Sequence, residues 1–217
     1  MADYEDEQLE ALRRWWEENG RSVIVGAILA IAGVAGWQGW QWYTDTQSEG
    51  AAAVYSQIQV QMPMGDAETI VAAAETLRGD FARTHYATLG ALSAARVMVR
   101  NNDYDSAVEW LEWAREQARD PSLEAVATLR LARVLGERGD IERALGLLAD
   151  GAAPGWEALH HETRGDLLIE QGDYERAAAA YQQALDADGE VTDREIVRLK
   201  RNRAEAGKAA GDGVVDS

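Results

Sequence analysis

The sequence contains no cysteine, which removes disulfides, thiolate metal sites and thiol chemistry from consideration. Three prolines and one phenylalanine occur in 217 residues. With so few helix breakers, and with Ala, Leu, Glu and Arg dominating, the chain is predicted to be mostly helical. Nucleophile and phosphate motifs are also missing: no G-x-S-x-G, P-loop or H-E-x-x-H string occurs. The one histidine pair, His160-His161 beside Glu162, offers poor joint ligands. Neighbouring side chains on a helix point about 100° apart and need a third group to close a metal site. Carboxylates are plentiful but fall on polar helix faces, where charge marks a solvated surface. No enzymatic activity, cofactor, metal or small-molecule substrate is therefore expected. Positive charge is scarce as well. A formal net charge of -17 repels nucleic acid and anionic headgroups and favours solubility or basic partners.

Lys and Arg vanish altogether between Arg21 and Arg78, and within that gap lies SVIVGAILAIAGVAGWQGWQWY, Ser22 to Tyr43, with no charged residue. As a helix it reaches roughly 33 Å, against about 30 Å for the hydrocarbon core of a bilayer. Trp15 and Trp16 flank it on one side and Trp37, Trp40, Trp42 and Tyr43 on the other, where amphipathic rings favour the headgroup level. Arg13, Arg14 and Arg21 all precede it, so the N-terminus is expected inside and the rest of the chain outside. Two rivals are a buried core helix and a signal peptide cleaved near Ala51-Ala52-Ala53. The tryptophan cluster, which ends the apolar core well before that site, favours an uncleaved anchor. Leu9, Leu12 and Trp16 recur at helical spacing, so residues 1–21 are expected to form a short amphipathic helix or a disordered tail, with Gly20 breaking it from the span. Gly26/Ala30, Ala32/Gly36 and Ala35/Gly39 are small-residue pairs that would let another membrane helix approach.

Beyond the anchor the chain repeats. Gly65-Asp66-Ala67-Glu68-Thr69-Ile70-Val71, Asn102-Asp103-Tyr104-Asp105-Ser106-Ala107-Val108, Gly139-Asp140-Ile141-Glu142-Arg143-Ala144-Leu145 and Gly172-Asp173-Tyr174-Glu175-Arg176-Ala177-Ala178 stand 37, 37 and 33 residues apart. A period of about 34 built from two helices and a turn is the tetratricopeptide signature. Gly or Asn takes the left-handed position that ends the first helix, and Asp caps the second. Ala107, Ala144 and Ala177 fall where paired helices cross, opposite Ala95, Ala132 and Gly165. Leu111, Leu148 and Tyr181 fill the large position four residues on. The first repeat departs from this, with Ile70 opposite Ile58 and Pro63 just before the turn. Its first helix is predicted from Asp45 to about Gln61. Pro121 and Pro154 are placed in connections between repeats. Thr192-Asp193-Arg194-Glu195 reads as a capping box opening a last helix to about Ala206, whose Arg and Lys suit the polar face of a terminal repeat.

The string Glu7-Gln8-Leu9-Glu10-Ala11-Leu12-Arg13-Arg14-Trp15-Trp16-Glu17-Glu18-Asn19-Gly20, followed by one anchor and degenerate repeats, resembles the YfgM-type ancillary subunit family of the bacterial SecYEG translocon. Leu129-Arg130-Leu131-Ala132-Arg133-Val134-Leu135 and Arg164-Gly165-Asp166-Leu167-Leu168 resemble that family's repeats too, and the match covers roughly residues 5–188. The resemblance implies an all-α, single-pass inner-membrane protein: a cytoplasmic tail (1–21), a transmembrane helix (22–43), a periplasmic tetratricopeptide-like solenoid of about four helix pairs (44–208) and a disordered tail (209–217). It also implies association with the SecYEG translocon and with a PpiD-type membrane-anchored periplasmic chaperone, in helping exported proteins. Alternatives are a scaffold for another envelope complex, or a soluble periplasmic accessory released by signal cleavage.

In tetratricopeptide arrays the first helix of each repeat lines a concave surface. Counted from the crossing alanines, the inward positions are Leu89, Leu92, Arg96 and Val99, then Val126, Leu129 and Arg133, then Leu159, Glu162, Asp166 and Ile169. This apolar strip, with Arg96 and Arg133 at equivalent places and Asp166 at the third, is the expected partner-binding groove. The competing reading has the arginines pair with neighbouring acids and the leucines pack under the next repeat.

Overall fold

The computed structural model describes residues 2–63, 65–187 and 193–215, with side chains placed for 13–63, 65–187 and 193–209. Nine helices occur among these residues: α1 (Ala2–Gln61), α2 (Ala67–Asp80), α3 (His85–Arg100), α4 (Tyr104–Gln117), α5 (Pro121–Glu137), α6 (Ile141–Leu147), α7 (Glu157–Gln171), α8 (Tyr174–Asp186) and α9 (Arg194–Val215). The chain divides into two compact units, Met1–Glu49 and Gly50–Ser217, and α1 contributes residues to both.

In the first unit the large apolar side chains point outward. Ile24, Leu29, Ile31, Val34, Trp37, Trp40 and Trp42 are all exposed. A soluble core helix would have buried such residues, so that reading falls. α1 carries the one stretch among the described residues long and apolar enough to cross a membrane, and none of it is covered by protein. Gly20, expected to break the helix, does not. One glycine in a helix interior costs only about 1 kcal/mol relative to alanine. Here the Trp16 indole also folds over the bare backbone, 3.2 Å from where a Cβ would sit.

In the second unit the repeat logic is visible residue by residue. Gly65, Asn102, Gly139 and Gly172 all adopt positive φ, at 77°, 58°, 88° and 82°. Asn102 is the sole non-glycine residue doing so among those described, and asparagine tolerates that region best after glycine. The next residue's N–H reaches back to close each later turn: Asp103 to the Met98 carbonyl, Asp140 to Leu135 and Asp173 to Leu168. Asp66, Asp103 and Asp173 then cap the following helices, accepting from the backbone N–H of Thr69, Ser106 and Arg176. Asp140 makes no such bond and pairs with Arg138 instead, at 3.3 Å.

Paired helices cross at small residues. Ala107, Ala144 and Ala177 are fully buried, and so, nearly, are Ala95, Ala132 and Gly165 opposite them. Leu111, Leu148 and Tyr181 fill the large sites beside them. In the first repeat Ile58 and Ile70 meet this need with bulk, and both are buried. Most of the core is one cluster running from Ala51 through Leu167; a second gathers Leu168, Ala177, Tyr181, Ala184, Val197 and Ala204.

Three details depart from expectation. Pro121 is the first residue of α5, with Asp120 as its cap, rather than part of a connection. Proline lacks only an N–H that the first turn leaves unused. α6 ends after seven residues at Leu147, and the connection that follows carries Gly151 and Gly155, both at positive φ, on either side of Pro154. α9 continues beyond Ala206 to Val215, and Asp193 caps it by accepting from the Glu195 and Ile196 N–H groups. Thr192, the other half of the expected capping box, lies outside the described residues.

Candidate functional site

Of the predicted strip, Leu89, Leu92, Arg96 and Val126 come together. They line a hollow of about 530 Å³ between α3, α5 and the end of α1, closed on one side by Tyr55, Ile58, Gln59, Met62 and Pro63. Leu92 and Ile58 are buried in its floor, while Arg96 is exposed at its rim. Tyr55 rests against Tyr86, with ring centroids 5.8 Å apart. Sequence reasoning missed Arg130, which also lines the hollow. It stands three residues before Arg133, one turn away on the same helix face, and this i, i+3 spacing was the available signal. Desolvation, and then the positive charges of Arg96 and Arg133, hold the Arg130 pKa below the ordinary arginine value.

Elsewhere the strip is not open. Leu129 is buried and faces a smaller hollow of about 210 Å³ with Arg115, Trp156 and His160. Val99 and Leu159 pack against the main core cluster, and Ile169 against the second. Arg133 Nη2 donates to Thr163 Oγ1 at 3.1 Å, tying α5 to α7. Glu162 is 2% exposed, and both it and Asp166 receive the Lys200 ammonium from α9, at 2.9 and 2.8 Å. Tyr181 donates its hydroxyl to the same Asp166 oxygen at 2.8 Å. Burial opposes the Lys200 charge, but the hydrogen bonds to Asp166 and Glu162 outweigh it and raise the pKa. Burial, then the Asp166 carboxylate, pushes the Tyr181 hydroxyl far up, so it remains a donor. Lys200 stands 34 residues after Asp166, so α9 sits one repeat on, as a fifth first helix would. The acidic end of the strip is therefore neutralised from within.

The arginine end is not. Arg78, Arg138, Arg143, Arg176, Arg198 and Arg201 each pair with a carboxylate. Among the described residues Arg96, Arg130 and Arg133 form no such pair. No group of three or more His, Asp or Glu able to hold a metal occurs among the described residues. The arrangement suits recognition of a surface or a segment: an apolar floor beneath a rim that carries Arg96 and Arg130.

A family described as a tetratricopeptide repeat-like domain matches residues 13–206. The chain is also similar to three curated proteins, each named an ancillary SecYEG translocon subunit. It is 29% identical to that of Aggregatibacter actinomycetemcomitans, covering 91% of this chain and 96% of that one. For Escherichia coli (strain K12) the identity is again 29%, over 91% and 95%. For Haemophilus influenzae it is 27%, over 91% and 96%. The family match extends across the apolar stretch of α1 and the repeats alike, so the chain belongs to the tetratricopeptide repeat-like domain family.

Proposed function

We propose that this protein is a membrane-anchored, non-enzymatic interaction subunit of the Sec translocon, whose hollow docks a segment of a partner protein. The observation that carries this reading is the 530 Å³ hollow, with buried Leu92 and Ile58 beneath exposed Arg96. The relatives' names supply the translocon, and the exposed apolar stretch of α1 supplies the anchor. The arginines before the span favour an N-terminus in the cytoplasm and repeats in the periplasm. In that place the docked partner is a PpiD-type membrane-anchored chaperone, and the joint task is the folding and trafficking of newly exported proteins.

Two measurements test this. Protease added to spheroplasts should degrade the repeats and spare residues 1–21; protection of the repeats reverses the topology. The full chain carrying Arg96→Glu and Arg133→Glu, solubilised from membranes, should retain less of the chaperone than wild type. Equal retention by a folded variant would place docking on another face. A mature protein beginning after Ala53 would instead favour the released soluble accessory.

A further inference from the structure

We propose that the segment seated in this hollow is an acidic amphipathic helix of a partner protein, its aliphatic face on Leu92, Ile58 and Val126 and its carboxylates on Arg96 and Arg130. The inference rests on the docking reading above and adds the chemistry of the occupant.

The chain carries 38 Asp and Glu against 21 Lys and Arg, so a surface arginine has no shortage of carboxylates to pair with. Within this acidic chain the lining of the hollow holds two guanidinium groups, Arg96 and Arg130, and no carboxylate, and burial, then the nearby charges of Arg96 and Arg133, lowers the Arg130 pKa. Like charges held together oppose the folded state slightly, and a bound carboxylate face would reverse the sign of that interaction. The hollow's shape then decides between a free anion and a segment. Its floor is aliphatic, and about 530 Å³ far exceeds what a single carboxylate or phosphate fills. An amphipathic helix meets both demands, with apolar residues at i, i+3 and i+7 and acids along the flank. Position also matters. The next acidic residues along the strip, Glu162 and Asp166, are covered by Lys200, so they do not repel the incoming acids.

The test uses the full chain in nanodiscs of phosphatidylcholine and three fluorescent probe peptides of about 15 residues, the length at which an isolated helix begins to hold. One has leucines on one face and glutamates beside them; the second has glutamine, and the third lysine, for every glutamate. Anisotropy titrations should show the glutamate peptide binding about tenfold tighter than the glutamine peptide at low salt, with the lysine peptide weakest. That preference should collapse at 1 M salt, where screening acts within about 3 Å. Arg96→Gln and Arg130→Gln together should abolish the preference. The two corresponding lysine substitutions should keep it, which separates charge from any loss of fold. Equal binding of glutamate and glutamine peptides would overturn the acidic occupant while leaving docking intact. Failure of all three peptides, with chaperone still retained by wild type but not by the glutamate double variant, would overturn the helix and keep the site. Displacement of the glutamate peptide by short-chain phosphatidylglycerol at equal concentration would assign the arginines to anionic headgroups instead, and would equally overturn the proposal.

Discussion

Lys200→Met asks whether α9 is part of the fold or an ornament on its end. Glu162 is 2% exposed and its Oε1 lies 2.9 Å from the Lys200 ammonium, which also holds Asp166 at 2.8 Å. Removing one partner of a fully buried ion pair costs about 3–5 kcal/mol, because the other charge is left without compensation. Solvent exposure lowers that figure here. The Lys200 side chain is 31% exposed and that of Asp166 35%, so water already screens both. About 2–4 kcal/mol is the resulting expectation. For a domain of this size that lowers the melting temperature by roughly 5–15 °C. Far-UV circular dichroism of the full chain in detergent would read it, since the repeats are the cooperative unit and the anchor helix persists in the micelle. Adding Glu162→Gln to Lys200→Met removes the stranded charge and should restore about half the loss. A Lys200→Met melt within about 2 °C of wild type would refute the reasoning, and α9 would then be a dispensable surface helix.

Other perturbations probe the crossings and the buried histidine. Ala144 is fully buried where α6 meets α5, so Ala144→Leu should destabilise by about 1–3 kcal/mol in denaturant melts, whereas Ala152→Leu, in a connection, should cost under about 0.5 kcal/mol. A Cβ on Gly165 would lie 2.6 Å from the Tyr181 ring, whose hydroxyl is fixed by Asp166. Gly165→Ala should therefore lose about 1–2 kcal/mol net despite its better helix propensity, while Gly146→Ala, with open space around it, should gain about 0.5–1 kcal/mol. His160 is 5% exposed, and burial, then the charges of His161 and Arg164, lowers its pKa. Its stabilising contribution is thus complete above the unfolded value of about 6.5 and is lost as pH falls below it, where the unfolded chain takes up the proton first. Melting temperature should drop on acidification from pH 7 to 5, and His160→Gln should flatten that slope.

What was legible in the sequence was whatever a local rule dictates. Each of the four turns needs one left-handed residue, and only Gly or Asn fills it cheaply, so Gly65, Asn102, Gly139 and Gly172 could be read directly. Crossing alanines were legible for the same reason: a size constraint that recurs at fixed spacing. The groove was harder. Period counting gives equivalent positions, but whether an equivalent position is open depends on what the next helix brings to it. Lys200 is 38 residues from Glu162, and no periodic pattern in α7 announces that the acid will be covered. Arg130 escaped for the opposite reason. It occupies none of the inward positions counted from the crossing alanines, yet it lines the hollow together with Ser93, its equivalent one repeat earlier. The end of α6 at Leu147 had no single local signal, since Gly146 lies inside the helix and Gly151, Pro154 and Gly155 come after it.

The central claim is that the hollow between α3, α5 and the end of α1 meets a partner at the translocon. Site-specific photo-crosslinking in intact membranes tests it directly, with a benzophenone side chain placed at Arg96 and, as a control, at exposed Glu175 on α8. The account predicts adducts from Arg96 with a membrane-anchored chaperone or a translocon subunit, identified by mass spectrometry, and few from Glu175. Adducts from Glu175 alone, with Arg96 silent in a correctly inserted protein, would contradict it.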